Sequence, residues 1–99
     1  MILCHNGIVR GTSRSGKPVS AINVKVHQEA VNSIITEIKA RPGIIEVLVE
    51  LNQGTLSVGD DIMLVAIAGD IRQHVFPALQ DLVQRIKQQI TEKEEILSS

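Results

Sequence analysis

Two runs decide the fold: Ile44-Ile45-Glu46-Val47-Leu48-Val49-Glu50-Leu51 and Ile62-Met63-Leu64-Val65-Ala66-Ile67-Ala68. The second carries no charge over its 7 residues. It is too short to cross a bilayer, and a strand this apolar is expected to be covered on both faces. Ile44–Leu51 reads as its partner strand. Gln53-Gly54-Thr55-Leu56-Ser57-Val58-Gly59-Asp60 between them reads as a tight, glycine-bounded connection. Ile62–Ala68 is therefore the expected centre of the domain.

Toward the C-terminus, a long helix follows. Asp70 is placed as its N-cap. Its apolar stripe is Ile71, Val75, Phe76, Leu79, Leu82, Val83, Ile86 and Ile90. Pro77 either lies near the start of the regular helix or kinks it. The charged tail Thr91-Glu92-Lys93-Glu94-Glu95-Ile96-Leu97-Ser98-Ser99 is expected to fray.

Toward the N-terminus, Gln28–Ala40 reads as an amphipathic helix on Ala30, Val31, Ile34, Ile35 and Ile38, stopped by Arg41-Pro42-Gly43. Val19–Val26 reads as a strand, and so does Met1–Arg10. In the latter, Cys4 is expected to be a buried thiol and His5 an edge residue, since no partner at ligand spacing suggests a metal or a nucleophile. Between the strands lies Gly11-Thr12-Ser13-Arg14-Ser15-Gly16-Lys17-Pro18. It has the outline of a phosphate-binding loop, but Pro18 stands where Ser or Thr would hold magnesium, and a strand follows instead of a helix. A hairpin loop is expected, with Arg14 and Lys17 at its tip available to an anionic ligand.

The chain has 99 residues, enough for one domain. With one Phe, no Tyr and no Trp, its core must be aliphatic. The stacking platforms of single-strand nucleic-acid binders are missing. A net charge of −1 gives no field for DNA or an anionic membrane. No basic, apolar leader opens the sequence, so a cytosolic location is expected. The order strand, strand, helix, strand, strand, helix indicates an α+β domain in which two helices cover one face of a sheet. The other face of Ile62–Ala68 would then need a second chain, and a homodimer is expected.

Several pieces, in order, resemble the catalytic (large) subunit of molybdopterin synthase. They are Gly7-Ile8-Val9-Arg10, Gly54-Thr55-Leu56-Ser57-Val58-Gly59-Asp60, an apolar strand, Arg72 followed by Phe76, and Lys87 on the same helix. The resemblance spans about four fifths of the chain and makes this a short, divergent member. It implies an α/β hammerhead fold and a dimer. It also implies a small ubiquitin-like partner whose C-terminal Gly-Gly thiocarboxylate supplies sulfur to cyclic pyranopterin monophosphate, giving molybdopterin. Neither a metal nor a cofactor is called for. Lys87 would match the active-site lysine, Arg10 and Arg72 would match arginines that bind the pterin, and the family's second lysine is either missing or shifted to Lys93. Arginines suit a phosphate ester, and a partly desolvated lysine suits a nucleophile or proton donor, with a sheltered hollow expected around it.

The departures are specific. The family's imidazole before Arg72 is Ile71 here, its His-Arg before the second glycine motif is Leu51-Asn52, and the acid and aromatic of its second strand are Lys25 and His27. Its C-terminal extension, with a further pocket arginine, has no counterpart. The alternative reading is a catalytically impaired paralogue that binds a pterin or a partner tail. Arg72 and Lys87 lie 15 residues apart, about 22 Å on a continuous helix. Either Pro77 breaks that helix, or the two groups serve one pocket from different subunits.

Overall fold

A computed structural model describes residues 1–9 and 19–96, the side chains of 19, 20 and 92–96 excepted. In chain order the elements are β1 (Ile2–Ile8), β2 (Val19–Val26), α1 (Gln28–Lys39), β3 (Ile44–Leu51), β4 (Gly54–Ser57), β5 (Asp61–Gly69), α2 (Arg72–Lys87) and β6 (Ile90–Ile96). The expected order of strands and helices is present, with β4 and β6 added to it. The strands form two antiparallel sheets of three, β1-β5-β3 and β4-β2-β6.

β5 is the middle strand of the larger sheet, as its apolar run required. β1 does not pair with β2, contrary to the expected hairpin. Ile2 lies opposite Ala68 on β5 instead, and Met1 and Gly69 exchange backbone bonds at that end. β3 pairs β5 on the other side, with Val47 opposite Ile67 and Val49 opposite Val65. The helices lie on one face of this sheet. Met63, Val65 and Ile67 point into them and meet Ile34, Ile38, Val75, Ala78, Leu82 and Ile86. Burying each large aliphatic side chain of this set contributes roughly 1.5–3 kcal/mol.

The alternate residues of β5 are only partly covered. Leu64 is 38% exposed, and Leu48 on β3 and Ile2 on β1 are 52% and 71% exposed. The described residues of one chain thus fully shield only one face of the strand expected to be shielded on both. Cys4, expected to be buried, is exposed, because its parity on edge strand β1 matches Ile2 and not Leu3.

The smaller sheet has a core of its own, built from Val9, Ile22, Val24 and Leu56. The glycine motif 54–60 makes the corner that feeds it. Gly54 and Gly59 both have φ near +92, where a side chain would be strained. Asp60 closes the turn, its carboxylate accepting from the Ser57 N–H at 2.9 Å. The middle of the expected connection is therefore a strand, β4. β6 was expected to be a frayed tail. Its charges hide it, but pairing with β2 from Val26↔Ile90 to Val19↔Ile96 overrides composition.

α2 runs unbroken through Pro77, which has no N–H to give the Gln73 carbonyl. Its N-cap is Ile71, one residue later than expected. The Asp70 carboxylate instead accepts from the Ile71 N–H at 2.6 Å and lies 2.8 Å from His74 Nδ1. Gly43, at φ +80, packs under this pair, and a Cβ there would fall 2.1 Å from His74 Nδ1. The buried stripe of α2 is Val75, Ala78, Leu82 and Ile86, while Ile71 and Phe76 are exposed.

The His74 and Ile71 hydrogen bonds hold the Asp70 carboxyl below its ordinary value. A depressed folded value means this contribution is complete above the unfolded carboxyl pKa, about 3.9, and is lost as pH falls through the folded one. Asp70→Asn should therefore lower the thermal midpoint near neutral pH, with the difference closing below about pH 3.9. A difference constant with pH would remove the assignment.

Candidate functional site

The predicted site residues fall into three groups. Arg72 is the first residue of α2, Lys87 is its last, and both are exposed. Lys93 occupies the β6 position opposite Asn23 on β2. Arg10, Arg14 and Lys17 lie outside the described residues. Because α2 is continuous, Arg72 and Lys87 sit at opposite ends of one rod, about 22 Å apart, and a break at Pro77 is ruled out as the way to unite them. The described residues of one chain do not build the sheltered hollow expected around Lys87.

Among the described residues, what separates Arg72 and Lys87 from most other cations is their lack of carboxylate partners. Lys39 pairs with Glu46 at 3.0 Å, Arg41 with Asp81, Arg85 with Glu37, and His74 with Asp70. These pairs are structural. Arg41 and Arg85 tie the end of α1 to α2, and Lys39 ties α1 to β3. Among the described residues Lys25, Arg72 and Lys87 have no such partner. Exposed pairs contribute little each, but the sorting matters. Two of the three unpaired cations are residues singled out by sequence for anion chemistry.

Lys25 is the one sequence reasoning passed over. It is noticeable only once β6 exists. β6 pairs with β2 so that Lys25 lies opposite Thr91 and Val26 opposite Ile90. The His27 N–H then donates to the Gln89 carbonyl at 2.9 Å. Gln88 and Gln89 are the whole turn between Lys87 and β6, so the end of β2 is brought to the end of α2. Among the described residues no group of three His, Cys, Asp or Glu side chains is arranged to hold a metal.

The comparisons with known proteins bear on this arrangement. A family model described as "MoaE protein" matches residues 1–89. The chain belongs to the MoaE family. No match is found among curated proteins. Among solved structures, a molybdopterin synthase from Staphylococcus aureus superposes with a TM-score of 0.84 at 21% identity, over 100% of this chain and 76% of that one. A molybdopterin cofactor biosynthesis protein E from Burkholderia multivorans gives a TM-score of 0.75 at 25% identity, over 97% of this chain and 69% of that one. A chain from a complex of subunits 1 and 2 of the molybdopterin-converting factor of Helicobacter pylori gives 0.78 at 13% identity, over 100% and 68%. These likenesses give the MoaE-family chain its α+β fold. At such identities the individual site residues still have to be argued from their own geometry.

Proposed function

We propose that this MoaE-family chain works in molybdenum cofactor biosynthesis as the large subunit of a molybdopterin synthase. In this reading it takes sulfur from the thiocarboxylated C-terminus of a small ubiquitin-like subunit and delivers it to cyclic pyranopterin monophosphate. The observation that carries the reading is the unpaired state of Lys87 and Arg72, among the described residues, in a chain of this family whose helix-flank cations otherwise pair with acids. An unpaired amine keeps its three donors for a ligand, and an unpaired guanidinium keeps its planar fork for a phosphate. The Helicobacter pylori complex supports a small-subunit partner.

The length of α2 supports a dimer. One pterin cannot reach both ends of the helix, so Lys87 of one copy and Arg72 of another serve a common pocket. Such a pocket also supplies the shelter that one chain leaves out. The exposed apolar residues Ile2, Leu48 and Leu64 support a second copy as the cover of the open sheet face.

Ile71 favours a second reading. It occupies the α2 N-cap with an exposed hydrocarbon side chain, where it neither moves protons nor binds phosphate. A pterin- or partner-binding dimer without turnover would tolerate it. One assay separates the readings. The purified chain is mixed with a thiocarboxylated small subunit and the pyranopterin precursor, and dithiolene product is measured. Product is expected. Its absence, with a small subunit that works alongside an authentic large subunit, would leave only the binding reading.

A further inference from the structure

We propose that Lys25 and His27, at the end of β2, complete an anion-binding corner with Lys87 that takes a phosphate group. The inference rests on the synthase reading for the identity of the natural ligand, but not for the existence of the corner.

Three observations place the corner. The β2–β6 register sets Lys25 opposite Thr91. The bond from His27 N–H to the Gln89 carbonyl fixes His27 two residues from Lys87 across the turn. The Gln89 N–H in turn donates to the Ile86 carbonyl at 2.8 Å, so the turn is closed and the end of α2 is held there. The chain segments that carry two lysines and a histidine thus meet at one junction. All three residues are exposed, and among the described residues none makes an ion pair. Glu29, in the first turn of α1, is the nearest carboxylate along the chain to His27 and bridges to none of them. β6 brings further acids: Glu92 and Glu94 hold register positions opposite Val24 and Ile22, of the other strand parity from Lys25, and Glu95, of the same parity, lies opposite Ala21, four residues along β2 from Lys25.

Like charges gathered without a counter-charge raise the local potential. Everywhere else along the flanks of α1 and α2, the described arginines and lysines other than Arg72 avoid that cost with a carboxylate. An oxyanion bridging Lys25, His27 and Lys87 would supply the missing countercharge through charge-assisted hydrogen bonds. The corner also gives a physical use to Lys25 and His27, which replace an acid and an aromatic in the pattern this chain resembles. With an acid at position 25, a salt bridge to a lysine at this junction would be available. With Lys25 the acid is gone and the junction is open to an anion.

The test uses the full chain, labelled with nitrogen-15 and titrated with inorganic phosphate at constant ionic strength, with sodium chloride as the parallel titration. Saturable shifts are expected at the amides of Lys25, His27, Lys87 and Gln89, and not in chloride. Lys25→Glu should weaken phosphate by about tenfold or more, and Lys25→Ala should weaken it less. Both variants should keep dispersed spectra, since Lys25 is exposed. Shifts that do not saturate, that chloride reproduces, that gather at Arg72 instead, or that survive unchanged in Lys25→Glu would overturn the corner. Phosphate binding here with no dithiolene formed would uphold the corner while removing the synthase reading. Sulfur transfer with an unchanged KM for the pterin in Lys25→Glu would uphold the synthase reading and overturn the pterin phosphate as the corner's ligand.

Discussion

Lys87→Ala should lower dithiolene formation by about a hundredfold or more while leaving the thermal midpoint of the chain nearly unchanged. The two expectations follow from one fact. Lys87 is exposed at the last position of α2 and has no ion pair among the described residues, so truncation removes an amine free to act on a ligand, as the proposed function requires, and little packing. Lys87→Arg sharpens the test. It keeps the positive charge but presents a guanidinium that neither attacks a thiocarboxylate carbon nor gives up a proton near neutral pH. Arginine should restore pterin binding, read as KM, and not turnover, read as kcat. Full turnover in the alanine variant would show that the amine is not the reacting group. Rescue of kcat by arginine would reduce its role to charge.

Leu82→Ala should cost roughly 2–5 kcal/mol of folding free energy, measured by urea denaturation of the whole chain. Leu82 is fully buried in the middle of α2, against the face of β5 that carries Val65 and Ile67. The cavity would open where helix and central strand meet. Domains of this size have about 5–15 kcal/mol in total, so the variant should be near its folding threshold. Phe76→Ala provides the contrast. Phe76 is the chain's sole aromatic residue, and its placement in the apolar stripe suggests a core anchor. It is 54% exposed, and its truncation should shift stability by only about 0.5 kcal/mol. Equal losses in the two variants would contradict the packing described for α2.

The contrast between Leu82 and Phe76 also shows what sequence conveys here. Helical spacing found the face of α2 that packs, because Val75, Leu82 and Ile86 repeat with the helix period. It over-counted at Phe76, where a hydrophobic residue lies off the buried stripe. The uncharged run at Ile62–Ala68 identified the central strand because no other place in a domain this small accommodates it. β4 and β6 were not legible for a different reason. Each is a strand through its partner, β2, and neither has an alternating pattern strong enough to be seen alone. Missing β6 hid the relation between Lys25 and Lys87, which are far apart in sequence and whose chain segments are brought together only through that pairing. Arg72 and Lys87 were singled out from an ordered resemblance. What sequence could not supply was the continuity of α2 through Pro77, which turns their separation into an argument for two copies.

Ile90 packs on the cores of both sheets, and it lies three residues beyond Lys87. The molecule is long and thin, 51 × 25 × 18 Å, with the larger core under the helices and the lesser one under β2 and β4. The lesser core has fewer buried aliphatic groups to lose, so its sheet is the cheaper of the two to dislodge. Swinging the small sheet away would carry Lys25 off while Lys87 stayed with the helix, scattering the cationic junction without melting the main body. Ligand affinity and the local order of that lobe are in this sense one equilibrium, and an anion seated at the junction would fasten the lobe in place.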